Sequence, residues 1–200
     1  FQLVFLLIII LTNIILGFSL LKKKLFSFSI LKNRFIGHFY LVGSLVIFFT
    51  MSNVTNSHNP LIVFSFLMLI WVSDSAAYVF GVNFGKRPLF KSVSPKKSVE
   101  GFLGGIIFSI ILSLFFHKYL NLDFTIIQWL IIGLLTSSLG ALGDLVQSQF
   151  KREAGVKDSG KFLPGHGGLY DRMDSIIFAA PFIYLSLIIF KNVSKLESIS

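Results

Sequence analysis

Cysteine is absent from the 200 residues of this chain. No disulfide framework and no thiolate-bound zinc is therefore available, and redox compartment cannot be read from cysteine usage. Charge is nearly as scarce, with Lys, Arg, Asp and Glu at 14% of residues against about 25% in an average soluble domain. Acid is scarcest: nine Asp and Glu residues face 18 Lys and Arg. There is no Walker A loop, GxSxG elbow or HExxH pair, which excludes the commonest nucleotide-loop, serine-hydrolase and zincin chemistries. The chain opens FQLVFLLIII, with no Met and no basic stretch ahead of the apolar run. That is not a signal peptide; it reads as a piece of a longer chain that begins inside a membrane helix. No internal repeat or low-complexity tract is evident.

What is present is apolar. Hydrophobic residues make up 54% of the chain, and Phe alone occurs 24 times. Such a composition fits a polytopic membrane protein, for which the bilayer is the solvent of most of the surface. A spanning helix needs roughly 20 mostly apolar residues. Six stretches qualify: Phe1–Leu21, Phe35–Met51, Leu61–Phe80, Gly101–Leu120, Phe124–Val146 and Ser175–Phe190, the second and sixth being short. The expectation is an all-α transmembrane bundle forming a single integral-membrane domain over residues 1–200, without a soluble appendage.

The net charge of +9 in a soluble protein would point to nucleic acid. Here it sorts by connection. Lys22, Lys23, Lys24, Lys32 and Arg34 lie in the first; Lys86, Arg87, Lys91, Lys96 and Lys97 in the third; Lys151, Arg152, Lys157, Lys161 and Arg172 in the fifth. Only Lys118, Lys191 and Lys195 lie near the other side. This asymmetry assigns the three basic connections to the cytoplasm and accounts for the charge without nucleic acid.

Topology does not explain the acids. Asp74 lies inside the third span, about 20 Å along at 1.5 Å per residue. Asp144 is at the inner end of the fifth span, and Asp171 and Asp174 open the sixth. All four fall on the side of the basic connections, and a carboxylate within a span usually marks an ion site, a pathway or a catalytic centre. Asp171 and Asp174 stand at i and i+3, on one helix face, a spacing that suits Mg²⁺ with substrate phosphates. It equally suits an N-terminal cap, but a cap needs no third carboxylate from another helix, and Asp144 supplies one.

Residues 151–174, KREAGVKDSGKFLPGHGGLYDRMD, hold nine of the 27 charged side chains. Gly165, Gly167 and Gly168 surround His166, and glycines next to a helix N-terminus let backbone N–H groups approach an anion. Lys151, Arg152, Lys157 and Lys161 can clamp phosphates, or serve only topology and anionic lipid. In the third connection, Ser94-Pro95-Lys96-Lys97-Ser98 leads into Glu100 and the small-residue run Gly101, Gly104, Gly105, which permits close helix packing. Lys96 and Lys97 are candidate phosphate contacts, whereas His38, His58 and His117 read as structural. Carboxylates for a divalent metal, cations for phosphates and a glycine nest at one membrane surface suit phosphoryl or nucleotidyl transfer to a lipid.

The stretch SQFKREAGVKDSGKFLPGHGGLYDRMD, Ser148 to Asp174, resembles the signature of the phosphatidate cytidylyltransferase (CDP-diacylglycerol synthase) family. That pattern is S-x-φ-K-R, four residues, K-D-x-small, two residues, φ-P-x-H-G-G-φ-x-D-R-φ-D, with φ apolar, and every fixed position is met. DSAAYVFGVNFGK and SPKKSVEGFLGG resemble further segments of that family, and the similarity covers roughly residues 60–190. Ser98 and Val99 stand where the family usually has Thr and an aromatic; Ser98 keeps the hydroxyl. Extra N-terminal helices usual in the family are missing.

The resemblance implies a transferase making CDP-diacylglycerol and pyrophosphate from CTP and phosphatidic acid, a membrane lipid. It implies a homodimer in a bacterial inner membrane with its active site facing the cytoplasm. By the same resemblance Asp144, Asp171 and Asp174 hold Mg²⁺ with a K⁺ beside it, and His166 and Lys157 join them in catalysis. Lys96, Lys97, Ser98, Lys151, Arg152, Lys161, Gly167, Gly168, Arg172 and Asp74 are expected to contact substrate. Two other readings stand beside it: a CTP-dependent lipid kinase moving the γ-phosphoryl group, and a transporter using Asp74 and Asp144 as an ion path.

Overall fold

The computed structural model describes residues 2–22, 37–55, 58–91, 93–120, 122–156, 159–160, 168 and 170–197. Within them the chain is helical apart from one small hairpin. The order is α1 (Gln2–Lys22), α2 (Phe39–Asn53), α3 (Pro60–Phe84), β1 (Pro88–Phe90), β2 (Ser94–Ser98), α4 (Val99–Tyr119), α5 (Ile126–Glu153) and α6 (Tyr170–Glu197).

Five of these helices are long and apolar enough to cross a membrane; α2 is not. The six expected apolar helices are all present among the described residues, and the second, short already in the sequence, is the shortest of them. α2 begins with a π-turn over Phe39–Gly43 and ends in a 3-10 turn over Met51–Asn53. It stops where polar residues take over. The Asn53 side chain meets His58 Nδ1 at 2.9 Å. Asn59 caps α3 by accepting from the Leu61 N–H at 3.0 Å, with Pro60 in the first turn, where its missing N–H costs no helical bond.

Two boundaries also move. α5 opens with a capping box between Thr125 and Gln128 and runs on to Glu153, seven residues past Val146. α6 starts at Tyr170 rather than Ser175. Asp171 and Asp174 are thus set inside its first turns, as their spacing requires.

The third connection was expected to be a plain polar loop. Instead β1 and β2 pair antiparallel, Pro88 with Ser98 and Phe90 with Ser94. The Glu100 carboxylate accepts from the backbone N–H groups of Lys86 at 3.0 Å and Arg87 at 3.2 Å. The Ser98 hydroxyl oxygen caps α4 by accepting from the Gly101 N–H at 3.1 Å. Buried Val93 joins Leu89 and Phe90 against Leu145 and Val146 of α5, which lays the hairpin on one end of the bundle.

Helix packing in lipid gains little from hydrophobic burial, since the tails are as apolar as leucine; close approach and interhelical hydrogen bonds do the work. α3 and α4 meet along the predicted small-residue run. A Cβ at Gly101 would lie 2.5 Å from the Ala77 carbonyl oxygen, and one at Gly105 would lie 2.9 Å from that of Ser73. The Ser73 and Ser137 hydroxyls join α3 to α5 at 2.6 Å, and the Ser109 hydroxyl donates to the Gly133 carbonyl at 2.9 Å. Exposed Leu3, Leu7 and Leu11 on α1, and Ile107, Ile111 and Phe115 on α4, form outward faces that suit acyl chains.

The two ends of the bundle differ. At one end the Ser19 hydroxyl meets Gln149 at 3.3 Å, the Tyr40 ring lies 5.9 Å from that of Phe150, and the hairpin covers the end of α5. At the other, Lys191 donates to the Val54 carbonyl at 2.7 Å and His117 Nδ1 meets the Phe124 carbonyl at 3.2 Å. The flanks of all three basic connections gather at the first end.

Candidate active site

α5 and α6 cross closely because residue 143 is glycine. A Cβ there would sit 2.6 Å from the Phe178 Cβ and 2.7 Å from the Asp174 carbonyl oxygen. This contact brings Asp144, the next residue on α5, alongside Asp174. Asp174 is 7% exposed, and its Oδ1 accepts from the Ser175 N–H at 2.7 Å. From α3, the Asp74 carboxylate comes within electrostatic range of Asp144 and Lys97 and lies beside the Ser175 side chain. Asp74, Asp144 and Asp174 thus form one acidic cluster built from three helices, with Asp74 on its accessible side.

Its counter-charge comes from the hairpin. Lys97 on β2 forms an ion pair with Asp144, the two side chains being 28% and 36% exposed. The other Asp144 oxygen accepts from the Ser148 hydroxyl at 3.4 Å. Lys96, the neighbour of Lys97, is exposed. Ser98 has its oxygen engaged in capping α4.

Asp171, expected beside these acids, has a different set of partners. Its Oδ1 accepts from Lys151 Nζ at 2.9 Å and Gln147 Nε2 at 3.5 Å. Its Oδ2 accepts from the Ser159 N–H, the Ser159 hydroxyl and the Gly168 N–H, each at 2.9 Å. Arg152 and Arg172 are exposed near this second group. Lys157, Lys161, His166 and Gly167 lie outside the described residues.

Among the described residues, no group of three or more His, Asp or Glu side chains is placed to hold a metal ion as it stands. The donor chemistry nevertheless fits Mg²⁺ in the acidic cluster, since that ion typically takes one or two carboxylates and completes its shell with water and substrate phosphates. Asp144 and Asp174 retain acceptor capacity for it, and the Lys97 ammonium already occupies a cation's place beside Asp144. Asp171 does not fit: protein donors engage both of its oxygens.

Sequence reasoning passed over Ser148, Ser159, Ser175 and Gln147. Ser148 and Ser159 fall inside the signature stretch, Ser148 at a fixed position, so a signal existed for them. Ser175 adjoins Asp174 and Gln147 is one helical turn from Lys151, but neither spacing announces a hydrogen bond.

An acidic cluster with an inserted lysine thus lies at one end of a bundle whose five long helices are apolar enough to cross a membrane. Comparison with known proteins places the chain more narrowly: the model of the cytidylyltransferase family matches residues 1–190, and the chain belongs to that family. It is 40% identical over 188 residues to a phosphatidate cytidylyltransferase of Staphylococcus saprophyticus, covering 90% of this chain and 68% of that one. It is 38% identical over 177 residues to the Bacillus subtilis protein of the same name, covering 88% and 65%. It is 40% identical over 183 residues to that of Staphylococcus aureus, covering 90% and 68%.

Proposed function

We propose that this chain transfers a cytidylyl group from CTP to phosphatidic acid, giving CDP-diacylglycerol and pyrophosphate. The observation that carries this reading is the match, over about nine-tenths of the chain, to proteins named for that activity. A phosphatidate oxygen attacks the α-phosphorus of CTP in line; that P–O bond forms as the bond from Pα to the bridging oxygen breaks. Pyrophosphate leaves with the electron pair.

The chain's own residues serve this step by position and charge. Asp144 and Asp174 would hold Mg²⁺, which when bound neutralises charge on the triphosphate and the leaving pyrophosphate. Lys97 exchanges its partner, leaving Asp144 for a phosphate oxygen as the nucleotide enters. Asp74, on the accessible side of the cluster, repels a phosphate that arrives without its cation, so metal and nucleotide enter together. The site faces the cytoplasm, supported by the gathering of the basic connections at its end of the bundle.

Purified protein in phosphatidate-containing vesicles, given CTP and Mg²⁺, is expected to release pyrophosphate and accumulate CDP-diacylglycerol. Release of CDP with a newly phosphorylated lipid would replace this reading with γ-phosphoryl transfer. Ion flux without CTP turnover would replace it with transport.

A further inference from the structure

We propose that Asp171 is a positioning residue, which clasps the neck of the α5–α6 connection and orients Lys151, and that Ser159 and Gln147 belong to the same clasp. In its catalytic part this rests on the cytidylyl-transfer reading; in its structural part it does not.

A carboxylate offers about four lone-pair directions, and that of Asp171 takes five donors. Two come from the end of α5: Lys151 Nζ at 2.9 Å and Gln147 Nε2 at 3.5 Å. Two come from Ser159, its N–H and its hydroxyl, and the fifth is the Gly168 N–H, each at 2.9 Å. The Asp171 N–H donates back to the Gly168 carbonyl at 3.1 Å, so Gly168 is held by both its backbone groups. The pair is well sheltered, with the Lys151 and Asp171 side chains 17% and 11% exposed.

The two stems of the connection also touch. A Cβ on Gly168 would fall 2.5 Å from Ser159 Oγ and 2.9 Å from the Gly160 nitrogen, and one on Gly160 would fall 3.6 Å from the Gly168 Cα. Only glycine at 168 lets the stems close to this distance. The chain therefore leaves and rejoins the bundle at a single point, and one carboxylate ties both stems to α5.

These bonds compete with metal ligation. To bind an ion, Asp171 has to release Lys151 or open the neck, leaving the sheltered ammonium or the buried Gly168 N–H without its acceptor, which is costly away from water. Asp174, three residues on, carries no comparable set of donors. Asp174 is free to ligate, and Asp171 acts through the groups it holds. Its contribution to catalysis is to set Lys151 and the neck where they meet the triphosphate.

Hydrogen exchange on the full chain in lipid reads the clasp without any activity measurement. Asp171→Ala and the nearly isosteric Asp171→Asn are expected to speed exchange at the Ser159 and Gly168 amides about tenfold or more, the scale of losing a hydrogen bond to a charged group. Asp174→Asn leaves those amides unchanged. In the assay, Asp171→Asn raises the KM for CTP about tenfold, and its half-saturating Mg²⁺ stays within about twofold of the parent, tenfold corresponding to 1.36 kcal/mol. Ser159→Ala moves exchange and KM in the same direction, which ligation by Asp171 does not predict. Unchanged exchange in the Asp171 variants overturns the proposal, as does a tenfold shift in half-saturating Mg²⁺. If the parent protein makes no CDP-diacylglycerol, the proposed function fails, and the exchange measurement still decides the clasp.

Discussion

Lys97, on the second strand of the hairpin, is ion-paired with Asp144 on α5. The two residues are 47 positions apart, Lys97 in the basic third connection and Asp144 near the end of the fifth apolar stretch. The pair makes the hairpin part of the site, since the strand that delivers the ammonium is itself held by Glu100 bonding to the Lys86 and Arg87 N–H groups.

Removing that ammonium separates two effects. Both partners are partly exposed, so Lys97→Met is expected to change stability by no more than about 1 kcal/mol. It lowers kcat/KM for CTP by about tenfold or more, because a cation aimed at the triphosphate is lost. With its competitor gone, Asp144 also takes up Mg²⁺ at lower concentration. Thermal unfolding, steady-state kinetics and Mn²⁺ binding followed by electron paramagnetic resonance check the three parts.

Asp174 faces Asp144 and Asp74 across the cluster, and like charges at close range repel. Asp174→Asn is therefore expected to leave Tm unchanged or to raise it, while activity falls by about a hundredfold or more. A variant that is both less stable and fully active would remove Asp174 from the catalytic machinery.

Gly143 sets the distance between α5 and α6. The Gly143→Ala methyl would meet Phe178 and the Asp174 carbonyl inside van der Waals contact, and overpacking of this kind costs about 1–3 kcal/mol. Unfolding in detergent reads that loss. Because the same displacement moves Asp174 against Asp144, kcat is expected to fall even in protein that remains folded.

The Ser73–Ser137 bond ties the helix that carries Asp74 to the helix that carries Asp144. Ser73→Ala or Ser137→Ala alone is expected to cost about 0.6 kcal/mol, the average for such bonds between membrane helices. The double variant adds little to either, so a double-mutant cycle returns a coupling energy of similar size.

Much of the site was legible in particular residues. Asp144 and Asp174 could be picked out because a carboxylate in an apolar run needs a reason, and the run Gly101, Gly104, Gly105 announced a close helix seam. Asp171 was legible as important but not in its role. The spacing of Asp171 and Asp174 is the same whether both bind metal or one ties a neck, and the difference lies in which backbone N–H groups arrive at each oxygen. The hairpin was missed because Lys86 to Ser98 lacks the alternating pattern of a strand. Its pairing depends on Glu100 and on Val93 finding Leu145 and Val146.

The sequence by itself determined that the chain lives in a membrane as helices, which end is basic, and that acids are placed at that end. These follow from local composition and from period, which need no knowledge of distant partners. Only the tertiary structure decided that the third connection pairs as a hairpin, that Lys97 meets Asp144, and that Asp171 spends its oxygens on Ser159, Gly168, Gln147 and Lys151. Hydrogen-bond saturation and close approach are properties of segments that meet in space, and a carboxylate's chemistry is set by the donors that reach it.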